Sequence, residues 1–550
     1  MRLLAALAAL CAAFTLAVAG APMVAYAEGV DVSVSVYRLY NQWSGEHLFT
    51  TDKGEYDSLQ ALGWHGEGTA WKSPSVSDTP VYRLYNQWSG DHHYTMDEEE
   101  YDHLGQLGWN QEGTLFYSAD AVSGRPVWRL FNKRLTQGTH LFTVDGKEYE
   151  DLGSIGWSVE DVAFYALPSG EFPSGTFGQD GSCTWVLDDT GTLIVKPTDG
   201  ISGVMSPLGD AIDGKIDAGA AKRIFIAKGV KAPADASRLF TGETADLGAD
   251  AYEDEVSAID AIDLRNLDMS EATNLSCMFA HYGSLKNVYG LSGWDTSKVT
   301  NMSDLFSFCS SLSDISQLSG WDVSKVTDMS SMFQACISLM DLSPLSGWDT
   351  SSAENMTFMF ACATLRGTSD ATGTGTMALV DLTPLAGWDV SHVTNMNGLF
   401  IGCTYLTDLS PLKSWDVSSA EIKVSMFTRC TSLTDLSPLS GWDMSSTTAI
   451  SGMFSGCTSL TDLSPLKDWD ASSVEQTFGT FIHCTSLVDV SPLAGWDMSK
   501  NEVVGLMFYG CTALKDASAL EAWKLPAGCD SDEAFPEGCI TPSWYTAASA

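Results

Sequence analysis

The chain has 550 residues, an ordinary apolar share of 44% and a formal net charge of -41. That length exceeds one compact core, so several domains are expected. A surface this acidic repels phosphate backbones and anionic lipid, which argues against nucleic-acid binding and membrane-surface docking; it would attract divalent cations or basic partners.

Residues 1–27 carry one charge, Arg2, ahead of a run of Leu, Ala, Val and Phe. Ala25-Tyr26-Ala27 fits a small-x-small cleavage site, so the expectation is an export signal, a mature chain from Glu28 and an extracellular, secreted or surface location. No second apolar stretch of membrane length is seen.

Residues 28–167 hold three aligned segments that begin at Tyr37, Tyr82 and Trp128. Each starts with an alternating run (VYRLYN in the first two), followed by a turn and a second short run (HLFT, HHYT, HLFT). These predict two strands joined by an Asn/Gly turn. Tyr56, Leu59 and Leu62, and likewise Tyr101, Leu104 and Leu107, stand at helical spacing. Asp52, Asp97 and Asp145 are placed to cap those helices, and Gly63, Gly108 and Gly156 to end them. A last aromatic strand completes a ββαβ unit, and three such units suggest a closed pseudo-threefold module.

Two candidate sites arise here. His47, His92 and His140 recur at equivalent places, and three imidazoles on one axis could hold zinc; the plainer reading, that each packs beside its own strand, is preferred, and no metal is assigned. Trp43 and Trp88 follow the first strand in turn-rich loops, where an open indole could stack on a sugar. The third unit replaces that Trp with Arg134 or a neighbour. The segments resemble the DUF5648-type repeat, "YRLYN" followed by "GEH", of bacterial exported and wall-associated proteins. The resemblance implies association with envelope or carbohydrate.

Residues 168–260 open on a Gly/Pro/Ser-rich linker. CTWVLDDTGTLIVKP then reads as a hairpin turning at Asp188-Asp189-Thr190-Gly191, and 222–230 as a further strand. A solenoid end exposes apolar surface and unpaired edges, so this region is expected to cap the repeats C-terminal to it.

From 261 to 525 a 27-residue beat takes over. Trp-Asp pairs begin at Trp294, Trp321, Trp348, Trp388, Trp415, Trp442, Trp469 and Trp496, with Trp523 one further period on. The single long interval, 40, holds an extra Gly/Thr-rich stretch near 366–378 that reads as an extruded loop. Phe279, Phe306, Phe333, Phe360, Phe400, Phe427, Phe454, Phe481 and Phe508 keep the same time. So do Cys309, Cys336, Cys362, Cys403, Cys430, Cys457, Cys484 and Cys511, with a one-residue slip at Cys362. One coil cannot bury these residues alone, whereas stacked coils can. About nine coils at the ~4.8 Å strand spacing would make a rod on the order of 45 Å. The one-per-coil rhythm reads the cysteines as packing rungs, because a buried free thiol behaves as a small hydrophobe.

The repeat resembles the BspA-type leucine-rich repeat, DUF285, with its "WDTS…VT…M…MF…C…SL" pattern. The resemblance implies a right-handed solenoid in a bacterial surface or secreted protein, with adhesion to a host or bacterial partner. The full expectation is therefore a multidomain α+β chain: ββαβ module, β-rich cap, leucine-rich-repeat solenoid and a C-terminal cap at 526–550. In that last segment Cys529 and Cys539 flank a loop that a disulfide could close.

Two aspartate columns, one after each Trp (Asp295, Asp322, Asp349) and one before Leu-Ser/Thr-Pro-Leu (Asp341, Asp381, Asp408), would repel unless offset. Turn-capping by the carboxylate is the preferred account. Calcium between rungs is the alternative, although no EF-hand loop or glycine-rich nonapeptide is present. No nucleophile elbow, zinc-protease helix, P-loop or dinucleotide fingerprint appears, so no enzyme is expected. The leading expectation is a binding or adhesion protein for a glycan or surface protein; the alternatives are a wall-polysaccharide hydrolase and a structural spacer.

Overall fold

The computed structural model describes residues 33–545 except 122–123, 136–137, 171, 218, 242–257 and 363–376. The export signal and most of the extruded loop lie outside the described residues. Two compact units are present: residues up to Val144 with Leu152–Ser169, and Asp145–Asp151 with Gly170 onward.

Between Ser33 and Ala166 three segments repeat one plan. β1 (Ser33–Tyr40), β2 (His47–Thr50), α1 (Lys53–Ala61) and β3 (His65–Pro74) are followed by β4 (Pro80–Asn86), β5 (Asp91–Thr95), α2 (Glu98–Gln106) and β6 (Asn110–Tyr117). The third segment is β7 (Arg125–Phe131), β8 (His140–Thr143), α3 (Gly146–Ser154) and β9 (Ser158–Ala166). Each forms its own antiparallel sheet with the first strand central. Register repeats too: Tyr37, Tyr82 and Trp128 face Thr50, Thr95 and Thr143. Asp52 and Asp97 accept N–H bonds from the first helical turn, as helix-capping carboxylates do.

Alternation along the strands turns one residue in two toward a shared core. Phe49, Tyr94 and Phe142 form a triangle of rings 5.4–6.0 Å apart, one from each segment. Trp71, Phe116 and Phe164 form a second, at 5.2–6.0 Å. Three small sheets that each bury one face can do so only against one another. Arginines on the central strands add a polar tie. Arg83 reaches Glu112 in its own segment at 2.5 Å and Glu55 on α1 at 3.1 Å. Arg129 pairs in the same way with Glu160 and with Glu100 on α2.

The second unit opens with β10 (Ser174–Phe177), β11 (Cys183–Leu187) and β12 (Thr192–Pro197), which are antiparallel. The β11–β12 turn is held by Asp188, whose Oδ1 accepts the N–H groups of Thr190 and Thr192. The short β13 (Gly203–Val204), α4 (Leu208–Ile212) and β14 (Arg223–Ile226) come next, then β15 (Val230–Lys231), β16 (Ala261–Asp263) and β17 (Asn287–Tyr289). β12, β14, β16 and β17 pair in parallel, so the hairpin passes into a stacked arrangement.

From there the coils carry 3-10 turns, many of them at the Ser-Pro-Leu triplets, and isolated bridges in place of long strands. One residue per coil pairs in parallel with the next: Asn274, Asn301, Asp328, Asn355, Asn395, Ile422, Ala449, Gln476, Val503 and Asp530. Around each bridge every second N–H points to the following coil. Met302, Asp304, Phe306 and Phe308 donate to the carbonyls of Asp328, Ser330, Met332 and Gln334 at 2.7–2.9 Å. Asp304 and Phe308 are left-handed (φ 55° and 60°), as are Ser331, Ala335, Ser425 and Arg429 in the same columns. Each non-glycine there costs about 1–2 kcal/mol, which the inter-coil hydrogen bonds offset.

The core is a set of ladders. Phenylalanine rings stack from Phe240 through Phe279 to Phe508 and Phe535, 5.2–6.0 Å apart. Phe360 and Phe400, 40 residues apart in the chain, still stack at 6.0 Å, so the ladder runs unbroken across the long interval. Each Trp Nε1 from Trp321 to Trp523 donates to a leucine carbonyl one coil back, at 2.8–3.2 Å. The ladder outruns the span expected for it. Asp235-Ala-Ser-Arg-Leu-Phe240 and Asp530-Ser-Asp-Glu-Ala-Phe535 place Phe240 and Phe535 on the stack, inside regions expected to be caps. Trp544 then covers Trp523 at 6.0 Å and donates to Leu520.

Candidate functional site: two open tryptophans on the N-terminal module

Trp43 and Trp88 are among the most exposed large apolar side chains, at 68% and 67%. Both sit in one kind of turn. Asn41 Oδ1 accepts from the backbone N–H of Trp43 at 3.0 Å, and Asn86 Oδ1 does the same for Trp88. The side chain then lies across the glycine that ends the following helix. A Cβ on Gly63 would stand 2.5 Å from Trp43 Cη2, and one on Gly108 would stand 2.3 Å from Trp88 Cη2. Both glycines are left-handed (φ 98° and 93°). The far end of each indole ring thus rests against bare backbone, while about two thirds of the side chain stays open to solvent.

Leu62 and Leu107 belong to the same edge. Their helical spacing reads as an inward face, yet α1 and α2 stop at Ala61 and Gln106, and both leucines are 58% exposed. The left-handed glycine next in the chain turns the backbone, so the last apolar residue is thrown outward. Nothing in the spacing marks this.

The three histidines do not meet. His92 Nδ1 lies 2.6 Å from Glu46 Oε1, while His47 Nε2 is 4.0 Å from Glu67. His140 lies beside Thr139 Oγ1 at 3.1 Å and against the ring of His93 at 4.9 Å. Each also packs on an aromatic of its own segment: Tyr40, Tyr85 or Phe131. Burial drives the His140 pKa down to about 3 and raises that of Glu46. Among the described residues no three His, Cys, Asp or Glu converge as a metal site would require.

In the solenoid each ladder thiol donates to a phenylalanine carbonyl of the preceding coil. Cys309 reaches Phe279 at 3.0 Å, Cys336 reaches Phe306 at 3.1 Å and Cys403 reaches Phe360 at 3.7 Å. Cys430, Cys457, Cys484 and Cys511 follow suit at 3.0–3.4 Å. Cys362 is a correction. Its one-residue slip puts it in the column of Ala335, with its N–H bonded to Ile401, and its half-buried side chain leaves the rung. Cys529 and Cys539 are also separate thiols rather than a disulfide. Each closes its own turn, Pro526 to Cys529 and Pro536 to Cys539, through a left-handed glycine. Those turns set the two residues at different places along the terminal coil, Cys529 beside the Asp530–Val503 bridge and Cys539 beside the Ile540–Asp516 bridge.

The aspartates cap turns. Asp295, Asp322, Asp341, Asp381 and Asp408 each accept the N–H two residues on at 2.8–3.1 Å. Hydrogen bonds from the Ser or Thr two residues on hold these carboxyls below the usual range. A third column that sequence reasoning missed, Asn274, Asn301, Asp328, Asn355 and Asn395, does the same. Its signal was an Asx two before Ser, Thr or Asn in those five successive coils.

Stacked one-residue ladders in 27-residue coils define a leucine-rich-type solenoid protein. Residues 250–370, 376–488 and 425–537 match the model of a Mycoplasma protein of unknown function, DUF285, and the chain belongs to that family. Residues 35–167 match DUF5648, a domain of unknown function. No curated protein matches the chain. Among solved structures, a leucine-rich repeat protein from Eubacterium ventriosum ATCC 27560 is 14% identical. The match covers 68% of this chain and 98% of that one, at a TM-score of 0.27, too low to support a functional inference. Among the described residues no helix is long and apolar enough to cross a membrane.

Proposed function

We propose that this is an exported, non-catalytic surface-binding protein. Its N-terminal module takes envelope glycan on Trp43 and Trp88, and its solenoid offers a surface to a host or bacterial protein. The observation that carries the reading is the pair of open indoles in matching turns, the ring end of each resting against a left-handed glycine. A pinned indole has little conformational freedom left to lose and presents an apolar flat to the C–H face of a pyranose. We read the three segments as a closed pseudo-threefold module, so the two platforms occupy equivalent edges. A repeating polymer that engages both would gain avidity beyond either contact.

The non-catalytic reading draws on the recurring Cys, Asp, Phe and Trp residues, which are engaged in rungs and turns. The aspartate columns have backbone partners that offset their repulsion, so the scaffold calls for no cofactor, and chelation is the check on calcium.

The test is binding of the full chain to purified wall polysaccharide, mucin glycans and an array of host surface proteins, with product analysis. Trp43→Ala/Trp88→Ala should weaken glycan binding about tenfold or more at unchanged melting temperature. Release of new reducing ends would overturn the reading in favour of a hydrolase. Binding to nothing on the array would leave a structural spacer.

A further inference from the structure

We infer that the third segment carries a platform for an acidic sugar, a ring bearing a carboxylate, alongside the two neutral platforms; the inference rests on the carbohydrate reading of Trp43 and Trp88. Arg134 holds the place of those tryptophans. Its backbone N–H donates to Asn132 Oδ1 at 3.0 Å, the distance that Trp43 and Trp88 keep to Asn41 and Asn86. Its side chain extends toward the glycine that ends the helix, as theirs do. A Cβ on Gly156 (φ 99°) would be 3.8 Å from Arg134 Nη1. Ile155, 68% exposed, takes the place of Leu62 and Leu107.

The charge environment singles this position out. In a chain of net charge -41, Lys133 and Arg134 are adjacent, exposed cations. Arg38, Arg83 and Arg129 in the same module each hold a glutamate. Among the described residues no carboxylate pairs with Lys133 or Arg134. A guanidinium offers a planar fork that matches a carboxylate with two parallel hydrogen bonds. Ile155 supplies the apolar contact for the ring. A carboxylate attached directly to the ring lies at its edge, within reach of a platform the size of one ring. A phosphodiester between sugars carries its charge off the ring, which favours the uronate class.

The test uses the full chain and three probes: an oligogalacturonate tetramer, the same tetramer with its carboxylates reduced to alcohols, and a glycerol-phosphate polymer. Arg134→Ala should weaken tetramer binding about tenfold and leave the reduced tetramer unaffected. Wild type should bind the reduced form as weakly as the variant binds the acid, and Arg134→Lys should restore only part of the loss. Equal binding of acid and reduced tetramer, an unchanged Arg134→Ala, or preference for the phosphate polymer overturns the inference. If Trp43→Ala/Trp88→Ala still weakens binding to neutral glycan in that case, the carbohydrate reading stands and only the acidic platform falls. If no probe binds at all, both fall.

Discussion

The indole of Trp43 lies against Gly63, twenty residues further along the chain, closely enough that one methyl group could not fit between them. Gly63 is also left-handed, so Gly63→Ala combines a clash with backbone strain of about 1–2 kcal/mol. The variant should melt lower and lose the fixed orientation of Trp43, with glycan binding falling as in Trp43→Ala. Thermal melts and tryptophan fluorescence anisotropy check this; an unshifted indole would show that the glycine is only a helix stop.

Lys423 occupies a fully buried place in the column of Met302, Met329, Met356 and Met396. Its Nζ donates to Ala420 O and Thr447 Oγ1 at 2.6 Å and to Val417 O at 3.3 Å. Burial drives its pKa from 10.5 down to about 7. Between those values the unfolded chain holds a proton that the folded chain lacks, so stability should rise with pH from about 7 to 10.5. The penalty is fully present below about 7 and is at most about 4–5 kcal/mol, reduced by the three acceptors. Lys423→Met should raise the melting temperature at pH 6 more than at pH 10. Melts at both values decide it; an equal gain would mean the amine stays charged in the fold.

The ladder thiols should resist modification. Burial pushes Cys309, Cys457 and Cys511 up to about 12, and their S–H groups are engaged. Cys277, Cys362, Cys529 and Cys539 are only half-buried. A thiol reagent on the native protein should therefore label those four first and reach the rungs only on unfolding. Peptide mapping reads the order. Failure of both Cys529 and Cys539 to label without prior reduction would indicate the disulfide after all.

If the aspartate columns are held by turns, calcium should be dispensable. Chelator should leave the melting temperature unchanged. Asp341→Asn should leave the melting temperature nearly unchanged, because the amide oxygen still accepts the Ser343 N–H, whereas Asp341→Ala should lower it. These carboxyls titrate below their usual value, so the stability they add is present above about pH 4 and fades as pH falls below it. A drop in melting temperature on chelation, shared by the asparagine variant, would identify bridging calcium instead.

The sequence by itself determined what repeats. A rung is the same residue type at the same interval, so the Phe, Trp and Cys columns, the three-segment module and the Asp188 turn are legible along one dimension. Even the overlooked rungs at Phe240 and Phe535 carry the coil's own Asx-to-Phe spacing. Lys423 was legible in the same way, as the one cation in a methionine column. Tertiary structure alone decided which surfaces face solvent and which residues of unequal spacing meet. Trp43 finds Gly63 because a helix intervenes and stops on a left-handed residue. Cys362 leaves the rung because a one-residue slip moves a side chain into a neighbouring column. Cys529 and Cys539 part because two short turns set them at different bridges, one against Val503 and one against Asp516 of the preceding coil. Periodicity is a local, additive signal, whereas the exposure of an indole depends on everything packed around it.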